Sequence, residues 1–340
     1  LTFTSNENIQ NPTVTISGKT ANVSGGPISW TATYNMSAAD SEGNIPFLIT
    51  NIKDVFGNTT SDISSTTNAS SVAYDKTNPS ISSVSIASNN PDTSRAKPGD
   101  TITLSFDTNE DIQSPTVTIT GTTASVTGGP TSWTATYTMT AGNGEGNVNF
   151  NITNIKDLAN NMSGGTSSTT DASNVTFDKT APIINPVTII SNNSNSTYAK
   201  VGDTITLSFN SNEDIETPAV TMDGKSASVT GGPKIWTATY SANSGDTDGT
   251  VALIISELKD ITGNPASNVT STTNASSVAF NETPPVITPV SITSNNPNTS
   301  FAKMGNLITV SFTSNENIQS PDVTISGNTA NVTGGPTSWT

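Results

Sequence analysis

Four tryptophans divide this chain at equal intervals. Trp30, Trp133, Trp236 and Trp339 each stand 103 residues from the next. Their surroundings recur with them, as SGGPISWTATY, TGGPTSWTATY, TGGPKIWTATY and TGGPTSWT. So do KPGDTITLSF at 97–106, KVGDTITLSF at 200–209 and KMGNLITVSF at 303–312, and likewise NIKDVFGN at 51–58, NIKDLANN at 154–161 and ELKDITGN at 257–264. A fixed period without insertions marks a tandem array. A period of 103 is the length of a domain, not of a solenoid repeat, so each unit can bury a core of its own.

Boundaries are expected at YDKTNP (74–79), FDKTAP (177–182) and FNETPP (280–285). Residues 78–180 and 181–283 are then complete units. Residues 1–77 form an N-terminally incomplete unit and 284–340 a C-terminally incomplete one, so the sequence reads as a segment of a longer array. Each boundary has few residues and a proline that pre-sets φ. It contains no Gly/Ser tract, so the units are expected to run end to end as a rod.

Within each unit the periodicity is that of β-strands. In 78–180, Ile102, Leu104 and Phe106 alternate with polar residues, as do Trp133, Ala135, Tyr137 and Met139. Val148, Phe150 and Ile152 repeat the pattern, and Val175 with Phe177 ends the unit. Val84 with Ile86, Thr116–Ile119 and Ala124–Thr127 complete seven short strands. Apolar residues alternating with threonine describe half-buried strands. Pro98-Gly99-Asp100, Gly128-Gly129-Pro130 and Gly144-Glu145-Gly146 supply turn chemistry. No segment carries a helical period with caps. The predicted fold is all-β, a tandem series of immunoglobulin-like antiparallel β-sandwich domains.

Composition narrows the chemistry. The chain holds 12 Lys+Arg against 27 Asp+Glu, a formal charge of −15, which disfavours phosphate backbones and hence nucleic acid. It has no cysteine and no histidine. Thiol nucleophiles, histidine bases and the usual zinc ligands are therefore excluded. No apolar run approaches a membrane span. Ser and Thr make up 107 residues, so the 14 Asn-x-Ser/Thr triplets are what composition alone produces and carry no glycosylation signal.

The shared pattern, AK-x-GDTITLSF-x-x-NE, then P-x-VTI-x-G, GGP-x-x-WTATY, KD-x-x-GN and V-x-F-D-K-T-x-P, resembles the bacterial immunoglobulin-like repeats of large secreted surface adhesins. The resemblance covers the whole chain. It implies an extracellular location at the bacterial cell surface and an extender role, a stalk holding a distal binding domain away from the cell. It also implies Ca²⁺ at or near the junctions between repeats.

Strand order points to cations independently. With seven antiparallel strands, the ends of strands two and six share a pole with the start of strand one, where the preceding unit delivers its last strand. Asp75 is thus expected near Glu110, Asp111 and Asp157. One unit later the set is Asp178, Glu213, Asp214 and Asp260, and the third set is Asn281, Glu316 and Asn317. Asp100 and Asp203 begin strand two and are expected to face the following junctions, where the next unit has Asn306. Converging hard oxygens are what Ca²⁺ takes, six to eight at a time. The plainer alternative is that these are solvated turn and strand-end residues. The third set, poorer in carboxylates, is expected to bind Ca²⁺ more weakly and to bend more.

The remaining features read as structure. The tryptophans fall on inward faces and are expected in the core, not as sugar-stacking platforms; Tyr34, Tyr137 and Tyr240 share that face. Glu110 with Asp157 has the residue types of a glycosidase pair, but the pair recurs in every unit, so no enzyme is expected. A Lys–Asn isopeptide crosslink through Lys97 or Lys156 lacks a visible apolar pocket. The alternatives to an extender are a stretch of extracellular filament, with other copies of the chain as partners, and a glycan- or protein-binding module. Near-identical units favour the extender and the filament, in which the chain's partners are its own neighbouring repeats.

Overall fold

The computed structural model describes residues 1–340 and is all-β, without a helix. It comprises two units, Leu1–Thr180 with Thr262–Asn264, and Ala181–Ile261 with Pro265–Thr340. No helix is long and apolar enough to cross a membrane.

In the first unit, residues 78–180 build a two-layer sandwich. One sheet has the strand order Ser125–Gly128, Ser132–Thr138, Thr101–Thr108, Ile81–Ser88, all antiparallel. The register sets Phe106 between Trp133 and Val84, and Leu104 between Ala135 and Ile86. Alternation places these side chains on one face, so Thr101–Thr108 buries every second residue. The opposing layer pairs Thr116–Ile119 with Phe150–Thr153, Val117 opposite Ile152 and Ile119 opposite Phe150. The inner faces meet in one cluster that runs from Val84 to Phe177 and includes the fully buried Ile102, Leu104, Ile119 and Ile152. This is the immunoglobulin-type arrangement of strands one, two, five and four against three, six and seven.

Three details differ from the sequence expectation. The predicted strand from Val148 is split. Gly146–Asn147 pairs with Thr176–Phe177 while Phe150–Thr153 pairs with Thr116–Ile119, and Val148, buried between them, bonds Val175 O through its N–H at 2.8 Å. The sandwich is also not purely antiparallel, because Arg95–Ala96 runs parallel to Thr176–Phe177. Finally, Ile155–Lys156 and Met162–Ser163 form a further hairpin that carries Asp157 in its loop.

The tryptophan turn is built around glycines. Gly128 has φ +106° and Gly129 φ +105°, with a cis bond to Pro130. A Cβ on Gly128 would lie 2.5 Å from Ser132 O, and one on Gly129 3.0 Å from the Trp133 indole. The indole is therefore laid against bare backbone, where its Nε1–H donates to Pro130 O at 3.2 Å. Trp30, Trp133 and Trp236 are all buried, as expected of core residues. The tyrosines are half-buried at the rim of the same cores, and their hydroxyls donate out of the core, from Tyr34 to Asp40, Tyr137 to Asn143 and Tyr240 to Asp246.

The remainder of the first unit, residues 1–77, has a smaller core of Ile9, Val14, Ala21, Trp30, Ala32, Ile49 and Ile52. In the second unit, Ile184–Ser191, Thr204–Ser211, Ile235–Ser241 and Ser228–Gly231 repeat the four-stranded sheet over a core from Ile184 to Phe280. Its first strand bulges between Ile184 and Val187, around Pro186, which has no N–H for the ladder. In 284–340, Ile287–Ser294 and Ile308–Ser314 pair in the same register. Val290 and Ile292 are 61% and 65% exposed there, whereas their counterparts Val187 and Ile189 are buried. Of the opposing layer, residues 284–340 contain only Thr324–Ile325, the counterpart of part of Ala219–Met222, and nothing equivalent to Leu253–Ser256 or Ala279–Phe280.

Candidate cation site at a repeat boundary

Asp75 leaves the short strand Ala73–Tyr74, Glu110 follows the end of Thr101–Thr108, and Asp157 sits in the Ile155–Ser163 hairpin. A bridge between Ile112 and Asp157 draws the last two together. One carboxylate oxygen from each of Asp75, Glu110 and Asp157 lies within 4.8 Å of the others. Two oxygens at opposite ends of a Ca²⁺ ion, each about 2.4 Å from it, stand about 4.8 Å apart. The spacing therefore suits a shared cation.

Asp157 is the anchor, at 1% exposure. Its Oδ1 accepts from the Asn161 backbone N–H at 2.8 Å and its Oδ2 from Asn161 Nδ2 at 2.7 Å. The same Nδ2 reaches Asp75 O at 3.2 Å. Gln113 Nε2 donates to Asp157 O at 2.7 Å. Asp75 is oriented by its own turn, with Thr77 N–H donating to Oδ1 at 3.0 Å. Glu110 is the strained member. Burial and then the Asp75 charge push its carboxyl above the ordinary value, Asp157 and Glu42 add to this, and only a 3.3 Å bond from Asn109 Nδ2 opposes it. Two like charges 4.8 Å apart repel by roughly 3 kcal/mol at an effective dielectric of 20.

The linker between these repeats is tied on both sides. Glu42 Oε1 accepts from Lys76 N–H at 2.9 Å and from the Thr77 hydroxyl at 2.7 Å. From the other repeat, Asn161 holds Asp75 O, and Asn109 exchanges two bonds with Ser80, Ser80 N to Asn109 Oδ1 at 2.5 Å and Asn109 N to Ser80 O at 3.0 Å. The second unit does the same at 281–286. Asp248 accepts from Glu282 N–H and the Thr283 hydroxyl, and Asn315 exchanges bonds with Val286.

The sequence singled out ten acids, and the structure places them differently. Asp100 does not join a group of three acids. Its carboxylate closes its own turn, accepting from Lys97 N–H at 2.9 Å, Lys97 Nζ at 2.9 Å and Asn90 Nδ2 at 2.8 Å. Asp203 holds Lys200 N–H and Asn193 Nδ2 in the same way. Asp111 points outward and is exposed, and Asp214 lies 3.8 Å from Lys234 Nζ. Strand-start aspartates so placed spend their oxygens on the donors of their own turn, and neither is a member of an acidic triad. Asp178, in the first unit, repeats Asp75, its Oδ1 accepting from Thr180 N–H at 3.0 Å. In the second unit Asp260 is fully buried and bridges Ile215, as Asp157 bridges Ile112, and Glu213 stands where Glu110 does. Sequence reasoning missed Glu42, Asn109 and Asn161. The D-x-x-x-N spacing of 54–58, 157–161 and 260–264 was the signal for the last.

No family model matches the chain, and no curated protein matches it in sequence. Among solved structures it is similar to the I9-I11 tandem from titin, at 8% identity and a TM-score of 0.30 over 83% of this chain and 92% of that one. It is also similar to an E-to-A variant of titin domains I67-I69, at 8% identity and TM-score 0.31 over 81% of this chain and 88% of that one. The fibronectin(III)-like modules of Clostridium thermocellum CbhA match at 14% identity and TM-score 0.28, over 58% of this chain and 93% of that one. The fold itself rests on the strand order above: this chain is a tandem array of immunoglobulin-like sandwiches.

Proposed function

We propose that this chain is a structural extender segment of a bacterial cell-surface adhesin, stiffened by Ca²⁺ where repeats join. The observation that carries the reading is the linker at 75–80, which is hydrogen-bonded to both of its flanking repeats instead of hanging free. A short linker held this way transmits orientation from one repeat to the next, which is what a stalk requires. A tether would lack such bonds. Asp75, Glu110 and Asp157 would hold the cation, supplying three carboxylates to a set that water completes. The ion would offset both the burial of Glu110 and its repulsion from Asp75 and fix the linker more firmly.

Calorimetric titration of the full chain with CaCl₂, in wild type and in Glu110→Gln and Asp157→Asn variants, tests the cation. Binding heat that each variant diminishes is expected. Absence of heat in the wild type would return these acids to turn and surface chemistry. Small-angle scattering of the same samples tests the extender, for which an elongated particle is expected and a compact one would refute the role.

A further inference from the structure

The residue at position 75 recurs as Asp178 and then as Asn281. Asp75 Oδ1 accepts from Thr77 N–H at 3.0 Å, and Asn281 Oδ1 accepts from Thr283 N–H at 2.8 Å. The second bond fixes the amide of Asn281, since the atom facing a backbone N–H must be its oxygen. Its NH₂ group therefore occupies the place of the other Asp75 oxygen. From there Nδ2 donates to Glu316 Oε2 at 2.8 Å. Glu316 is the counterpart of Glu110. A pair that is carboxylate against carboxylate in the first unit is amide against carboxylate in the second. One atom has turned repulsion into a charge-assisted hydrogen bond.

We infer that Asn281 locks the boundary between 181–283 and 284–340 without a cation, and that the residue at positions 75 and 281 decides whether a repeat boundary answers to divalent cations. Aspartate makes the boundary depend on an ion, and asparagine brings its own donor. The sequence expectation of a looser third boundary left this bond out. A stalk with both kinds of boundary keeps part of its stiffness when Ca²⁺ falls. The cation half of the inference rests on the function proposed above; the amide half does not.

Hydrogen exchange of the full chain, read by mass spectrometry in CaCl₂ and in chelator, tests both halves. The peptides over 76–82 and 282–288 report the two linkers, and those over 204–211 confirm that the core is intact. In the wild type, Ca²⁺ should slow exchange at 76–82 and leave 282–288 unchanged. Asn281→Asp, which alters no core residue, should speed exchange at 282–288 in chelator by about ten- to a hundredfold, the worth of one hydrogen bond to a charged group. Added CaCl₂ should restore it. Asp75→Asn should slow exchange at 76–82 in chelator and abolish its response to Ca²⁺. Unchanged exchange at 282–288 in Asn281→Asp would overturn the inference, even if 76–82 responds to Ca²⁺. If Asn281→Asp speeds exchange but Ca²⁺ affects neither linker in any variant, the amide lock stands and the cation reading falls.

Discussion

Replacing Trp133 with alanine tests whether each repeat is an independent core. The indole is 8% exposed, stands opposite Phe106 in the register and lies over Gly129. A buried tryptophan removes about 150–250 Å² from water, worth about 4–6 kcal/mol at 25 cal/mol per Å². Alanine recovers part of this, and the walls relax only in part, so a loss of about 3–5 kcal/mol is expected. The Trp133 Nε1–H bond to Pro130 O sits at the rim, where water can replace it, so it adds little. Because a multi-domain chain does not unfold in two states, a bulk melting curve averages the repeats. Hydrogen exchange resolves them. The slowest amides of Thr101–Thr108 should exchange roughly a hundred- to several thousandfold faster in Trp133→Ala, at about 1.4 kcal/mol per factor of ten. Those of Thr204–Ser211 should stay within a few-fold, because the cluster holding Trp133 contains only residues between Val84 and Phe177. A change below tenfold at 101–108 would show that the indole is not a core element. Equal changes at both strands would show that the cores are not separate.

Two further outcomes follow from single side chains. Gly128→Ala should destabilise its repeat by about 2 kcal/mol or more, since the new methyl meets Ser132 O and φ is +106°; residue-resolved exchange should find the loss confined to 78–180. Burial pushes the Asp246 carboxyl up, but the Lys225 ammonium, the Asn243 N–H and the Tyr240 hydroxyl outweigh it, holding the carboxyl below its ordinary value. Its folded value is thus depressed. The stability it contributes is full above about pH 4, the unfolded value, and is lost as pH falls through the folded one. Repeat 78–180 has the neutral Asn143 in that place, bonded to Tyr137. Acid titration followed by exchange should therefore show 181–283 losing protection that Asp246→Asn no longer loses, and identical acid profiles in both would contradict the assignment.

The sequence alone determined the repeat, the sandwich and the inward faces. These follow from local rules: a fixed period means copies of one unit, alternation at 102, 104 and 106 means a half-buried strand, and Gly-Gly-Pro means a turn. Glycines 128 and 129 could be seen as turn residues, but that Gly129 makes room for the indole four residues later, and Gly128 for the Ser132 carbonyl, is a matter of packing. The split at Val148 and the parallel pairing of Arg95–Ala96 were not legible, because partner choice depends on strands roughly 30 to 80 residues away and not on the segment's own pattern. Among the acids, chain order already put Asp75, Glu110 and Asp157 at one pole, but it could not separate them from Asp111, which is exposed, nor show that Asp100, set at the other pole, spends its oxygens on Lys97 and Asn90. Nor could it show the donors, Asn161 on Asp157 and Asn281 on Glu316. A hydrogen bond depends on a few tenths of an ångström between groups that only the folded chain brings together, and sequence periodicity carries no information at that scale.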